Sequence, residues 1–154
     1  MKREALAVDL IAGLFILLFV YTAVSKFIGF ERLVSQLDLY PLIRSNGRIL
    51  AWVLLLSELA VAALLFFPFT RHLGLCGSYT LMVIFTVAVG FWVYFGKDSL
   101  PCVCGGVISK MTWKQHLLFN LVLTILAGWG WRISLRNRKK LLQQKRPADQ
   151  PVAG

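Results

Sequence analysis

Along the chain, long apolar blocks alternate with short polar ones, and four of the blocks approach the length of a bilayer crossing. Leu10 to Ser25 carries no charge, and it reaches spanning length with Ala5 to Asp9 before it and Lys26 after it. Ile49 to Thr70 is interrupted by Glu58 alone, and Leu73 to Gly96 is free of charge. Gln115 to Trp131 is also uncharged and extends to Leu135 if Arg132 snorkels. A helix needs about 20 mostly apolar residues to cross the hydrocarbon. No run alternates as barrel strands do, so helices are the expected spans. The pattern predicts an all-α fold: an integral membrane four-helix bundle with both termini cytoplasmic.

The first block has a rival reading. "MKRE" before a short apolar run ending in "YTAVS" also fits a cleavable signal peptide, which would leave three spans. Leu6 to Val8 extend the run backward and Lys26 and Phe27 continue it, which favours the uncleaved chain.

The polar stretches carry patterns of their own. In "FIGFERLVSQLDLYPLIRSNGR", Phe27, Phe30, Val34 and Leu37 recur at helical spacing until Pro41 ends the pattern. Two readings stay open, a short amphipathic helix in the outer interface and a plain extension of the first span. "PFTRH" is short, so the second and third spans should be antiparallel neighbours. In "TWKQ", Thr112 and Gln115 form a capping-box pattern at the start of the last span. Between Gly96 and Thr112 lies a loop of 15 residues, long for a compact bundle.

Composition agrees with lipid rather than water as the solvent. The 154 residues are 58% hydrophobic and 16% charged, where a soluble domain has about a quarter charged. Of the 17 Lys and Arg residues, ten fall on the side of the termini and seven on the other, so the termini are expected in the cytoplasm. The net charge of +10 thus reads as a topology signal with attraction to anionic headgroups. No folded basic domain presents a groove, so no nucleic acid is expected. Residues 1–135 are expected to form one membrane domain. Residues 136–154 read as a basic cytoplasmic tail, disordered beyond its first turn.

The outer loop contains "PCVCGG", with Cys102 and Cys104 one residue apart. Two residues of extended chain span about 7 Å, whereas disulfides want α-carbons roughly 4.4–6.8 Å apart. The pair can close only if the chain bends at Val103, and a strained, exposed disulfide exchanges readily. Three readings compete: a redox pair, a metal site formed by Cys102, Cys104 and His116, and cysteines without chemistry. Cys76 lies about 25 Å away along its helix and reads as a small buried residue. Glu58, inside the second span, should face the bundle interior. Its candidate partners are Lys26, Ser25 and Ser57, and its role is either proton or quinone handling or a structural ion pair. His116 shares a helix face with Asn120, where it either assists thiol ionisation or is a hydrogen-bonded boundary residue.

"YTAVSKF", Glu58, and "PCVCGG" followed by "WKQHLLFN" resemble the MauE/DoxX group of redox-associated membrane proteins. The resemblance runs from about Leu6 to Leu135 and implies four membrane helices. It matches Cys102 and Cys104 to the family's C-x-C, and Lys26 and Glu58 to its polar positions in the first two spans. Gly105 stands where the usual pattern has an aromatic residue. In this family MauE is implicated in maturation or export of the disulfide-rich small subunit of methylamine dehydrogenase. The implied activity is thiol–disulfide exchange with a periplasmic thioredoxin-like or client protein, linked to a quinone or other membrane electron acceptor. The setting is the inner membrane, with the C-x-C loop on the periplasmic side. The alternative is a non-catalytic assembly or transport subunit with a structural C-x-C loop.

Overall fold

The computed structural model describes residues 2–38, 46–95 and 112–144. Among them it has five helices and no strand: α1 (Lys2–Ile28), α2 (Phe30–Leu37), α3 (Gly47–Phe66), α4 (Arg71–Phe95) and α5 (Trp113–Gln144). Four of these, all but α2, are long and apolar enough to cross a membrane. The expected all-α four-span bundle is therefore observed.

The long helices form a ring in which α1 packs on α3 and α5, and α4 packs on the same two. Neighbours are antiparallel, which brings the two terminal segments to one end. There Lys140 reaches Glu4 at 3.3 Å, Arg71 pairs with Asp9, and Arg138 meets the His72 ring at 2.8 Å. α5 runs to Gln144, past the apolar stretch that ends at Leu135.

Both faces of these helices are apolar, and packing separates them. On α1, Val8, Ile11, Ala12, Phe15 and Phe19 are buried, while Leu10, Leu14, Leu17 and Val24 are exposed. In water the outer stripe would be a large sticky patch; facing acyl chains it carries no penalty. Small residues set the helix spacing, as is usual where lipid supplies no hydrophobic drive between helices. Ala12, Ala51, Ala62 and Ala127 are all buried at crossings. Gly74 is closely packed: a Cβ there would sit 2.8 Å from the Leu65 backbone nitrogen. Thr86 and Thr124 hydroxyls add a bond of 2.9 Å between α4 and α5.

The first polar stretch resolves into a separate helix. α1 ends at Ile28 and α2 begins after Gly29, so the extension reading gives way to a short helix packed on α3. Its buried residue is Leu33, with Phe30, Val34 and Leu37 half-buried beside it as expected, and Phe27, 62% exposed, is the residue that falls outside this face. The break at Gly29 resets the phase, leaving Phe27 on a different helix from Phe30. α2 is fastened by Phe30 against Trp52, with ring centres 5.1 Å apart, and by Glu31 with Arg48 at 3.1 Å. Asp38 accepts the Gly47 N–H at 3.1 Å and covers the start of α3. A Cβ on Gly47 would strike that carboxylate and come within 2.9 Å of the Val34 carbonyl oxygen.

The capping box at α5 is present. Thr112 N–H donates to Gln115 Oε1 at 3.0 Å, and Gln115 N–H donates back to Thr112 Oγ1 at 3.4 Å. The chain connecting α4 to α5 therefore enters α5 at the end of the bundle that carries α2, opposite the termini.

Candidate functional site

Three buried stripes bring polar groups to one place beneath α2. The inward face of α1 continues from Phe15 and Phe19 through Thr22 to Lys26, at spacings of three or four residues. On α3 the buried series Ala51, Leu55, Glu58, Ala62 and Leu65 puts a carboxylate on the core side. On α5, His116 and Asn120 precede Leu123 and Ala127 on the same face. Helical periodicity alone thus aims all three sets inward.

Lys26 Nζ and Glu58 Oε1 form an ion pair whose side chains are 6% and 0% exposed. The ammonium also lies over the Phe85 ring, 5.1 Å from its centre, a desolvated cation–π contact. Thr22 faces the carboxylate while donating to the Phe19 carbonyl at 3.2 Å. Taking these charges out of water is costly, and mutual attraction offsets that cost only when every remaining lone pair and proton is bonded.

That condition is not met. Glu58 Oε2 and Asn120 Nδ2 are buried and make no hydrogen bond within the described residues. Each such group costs about 1–3 kcal/mol, so together they are a sizeable fraction of an ordinary fold's stability. The two residues are among those around a cavity of about 130 Å³ shared by α1, α3, α4 and α5 and covered by Leu33 and Leu37 of α2. Lys26, Thr22 and His116 line it too, among walls that include Phe19, Met82, Phe85 and Leu123.

The structure thus unites Lys26, Glu58 and His116, with Asn120 beside them. Of the serines considered as partners for Glu58, Ser57 donates instead to the Leu54 carbonyl at 2.8 Å. Cys102 and Cys104 lie outside the described residues, and with them the metal site they would form. Among the described residues no three His, Cys, Asp or Glu side chains gather as a metal site requires. Cys76 is half-buried rather than buried, because a lipid-facing helix surface excludes no small apolar side chain. Thr22 was legible as the next inward position before Lys26. Phe85 was not, being one of 11 phenylalanines in a helix apolar on every side.

Four apolar helices closed around a buried ion pair and a mostly apolar cavity define a multi-span membrane protein. Residues 4–133 match the family model for methylamine utilisation protein MauE, so the chain belongs to the MauE family. The matched region takes in the cavity, the ion pair and the segment that joins α4 to α5. Neither a curated protein nor a solved structure matches the chain.

Proposed function

We propose that this chain is a maturation factor for periplasmic proteins of methylamine utilisation, set in the cell inner membrane. Its termini lie in the cytoplasm and the C-x-C segment faces the periplasm. There Cys102 and Cys104 exchange a disulfide with a thioredoxin-like or client protein. In each exchange the pair gains or loses two electrons and two protons while the client does the reverse, and a membrane acceptor or donor resets the pair. His116, in the first turn of α5, is the group proposed to take the thiol proton.

The carrying observation is membership of the MauE family over residues 4–133, a region that includes both cysteines. Exchange also suits the pair chemically. A ring closed across one intervening residue stabilises the fold little, and its strain favours attack by an incoming thiolate.

Serine substitution tests the reading. Cys102→Ser and Cys104→Ser should each leave expression and helix content intact and stop client maturation, and one of them should trap a mixed disulfide. Normal maturation by both variants would replace the redox reading with that of a non-catalytic assembly subunit.

A further inference from the structure

We propose that α5, on the face it turns away from the bundle, binds an anionic phospholipid of the leaflet next to the chain termini. At 3.6 residues per turn, Leu118, Ile125, Trp129, Arg132, Arg136 and Lys139 fall within about 80° of one another around the helix. All six are exposed. One stripe thus begins as hydrocarbon-facing side chains, passes an indole and continues as three cations. An exposed tryptophan suits the edge of the hydrocarbon, where its ring stays in lipid and its N–H meets the headgroup level. Arg136 lies about 10 Å further along the axis, and the headgroup layer is about 5–7 Å thick. Arg132 therefore stands within that layer, and the long stems of Arg136 and Lys139 let their charges reach back to it.

Charge selects the guest. Of the described carboxylates, the two at this end are already engaged, Glu4 by Lys140 and Asp9 by Arg71. Arg138 turns to another side of α5, against His72. The side chains of Arg132, Arg136 and Lys139 meet no carboxylate among the described residues. An arginine fork matches two phosphate oxygens at once. Arg132 and Arg136 are one turn apart, about 6 Å along the axis, so one phosphodiester can lie between them. A zwitterionic headgroup brings its own ammonium to the same cations and gains less. The net charge of +10 attracts anionic lipid to the whole chain, but the stripe concentrates that attraction on one face, directly above side chains that suit an acyl tail.

The site is independent of the cysteine chemistry proposed above and can be read on the full chain in phosphatidylcholine vesicles. The probes are phosphatidylglycerol and phosphatidylcholine brominated near the glycerol end of their acyl chains, which quench tryptophan on contact. Both leaflets contain them, so the direction of insertion does not matter. The chain has five tryptophans, so the Trp129 share is the quenching that Trp129→Phe removes, and each variant is compared with and without Trp129. Phosphatidylglycerol is expected to quench Trp129 at a lower mole fraction than phosphatidylcholine. A cation near the membrane surface is worth about a factor of five, so Arg136→Gln should lower that preference about fivefold. Arg132→Gln/Arg136→Gln/Lys139→Gln should abolish it. Glutamine is a good helix former; should the triple variant still fail to fold, Arg136→Gln carries the test. Lys145→Gln/Arg146→Gln removes two charges beyond the stripe and should leave the preference unchanged. A loss there equal to that of the stripe variants would reduce the effect to diffuse charge and overturn the proposal. So would equal quenching of Trp129 by the two lipids in the wild type. Loss of the preference when sodium phosphate replaces sodium chloride at equal ionic strength would overturn it too, by making free phosphate the ligand.

Discussion

Replacing Lys26 with methionine removes the ammonium from beside Glu58 while keeping a long apolar side chain in its place. The loss can be bounded from both sides. Breaking a buried ion pair by removing one partner costs about 3–5 kcal/mol in soluble proteins. Polar contacts between membrane helices average only about 0.6 kcal/mol and reach about 1.7, because the unfolded chain in lipid finds other partners. Here the surviving carboxylate is 0% exposed and already leaves one oxygen unbonded. Little beyond the Thr22 hydroxyl is left to receive it. We expect Lys26→Met to cost about 3 kcal/mol, toward the upper bound. The double variant Lys26→Met/Glu58→Leu should recover to within about 1 kcal/mol of the wild type, since a well-packed apolar pair avoids the desolvation cost altogether. Unfolding in mixed micelles with rising sodium dodecyl sulfate, followed by circular dichroism, measures all three. A double variant no more stable than the single one would refute the reasoning, because it would mean that the bundle needs the charges themselves to close.

Three further outcomes rest on other parts of the molecule. Gly74→Ala should destabilise by about 1–3 kcal/mol through overpacking against Leu65. Gly13→Ala, where a Cβ meets nothing within 4 Å, should be neutral or stabilise by up to about 1 kcal/mol in the same titration. Arg48→Ala removes an ion pair whose partners are 66% and 75% exposed, so its effect should stay below about 1 kcal/mol and shrink with added salt. On topology, a membrane-impermeant maleimide added to reduced spheroplasts should label Cys102 and Cys104 and spare Cys76; labelling of the pair only after permeabilisation would place the loop on the cytoplasmic side.

The spans were legible because charges are scarce in them, and for the same reason Glu58 and Lys26 stood out and could be paired in advance. The start of α5 was legible too, since a threonine and a glutamine three apart satisfy orphan backbone donors in a way few other residues can. Which face of each helix turns inward was harder to read. In a soluble bundle the polar face announces the core by contrast, but leucine suits lipid and core equally, so Leu10 and Ile11 look alike in sequence. That is why Phe85 could not be placed beside Lys26, and why Cys76 was taken as buried. On α2 the departure is confined to one residue: Phe30, Val34 and Leu37 share the packed face as expected, but Gly29 ends the preceding helix and leaves Phe27 on α1.

The two ends of the bundle differ in what their charges do. At the terminal end the pairs Lys140 with Glu4 and Arg71 with Asp9 are substantially exposed, and exposed pairs fasten helices weakly whatever else the protein does. At the other end the pair Lys26 with Glu58 is buried and leaves an acceptor unmet, with a buried amide donor on a neighbouring helix. Packing does not call for that arrangement, because elsewhere the same helices close with alanine, glycine and leucine. Stability and function should therefore separate in Lys26→Met/Glu58→Leu, which is expected to fold like the wild type and to fail to support client maturation. A variant that folds and still supports maturation at the normal rate would assign the pair to closing the bundle alone.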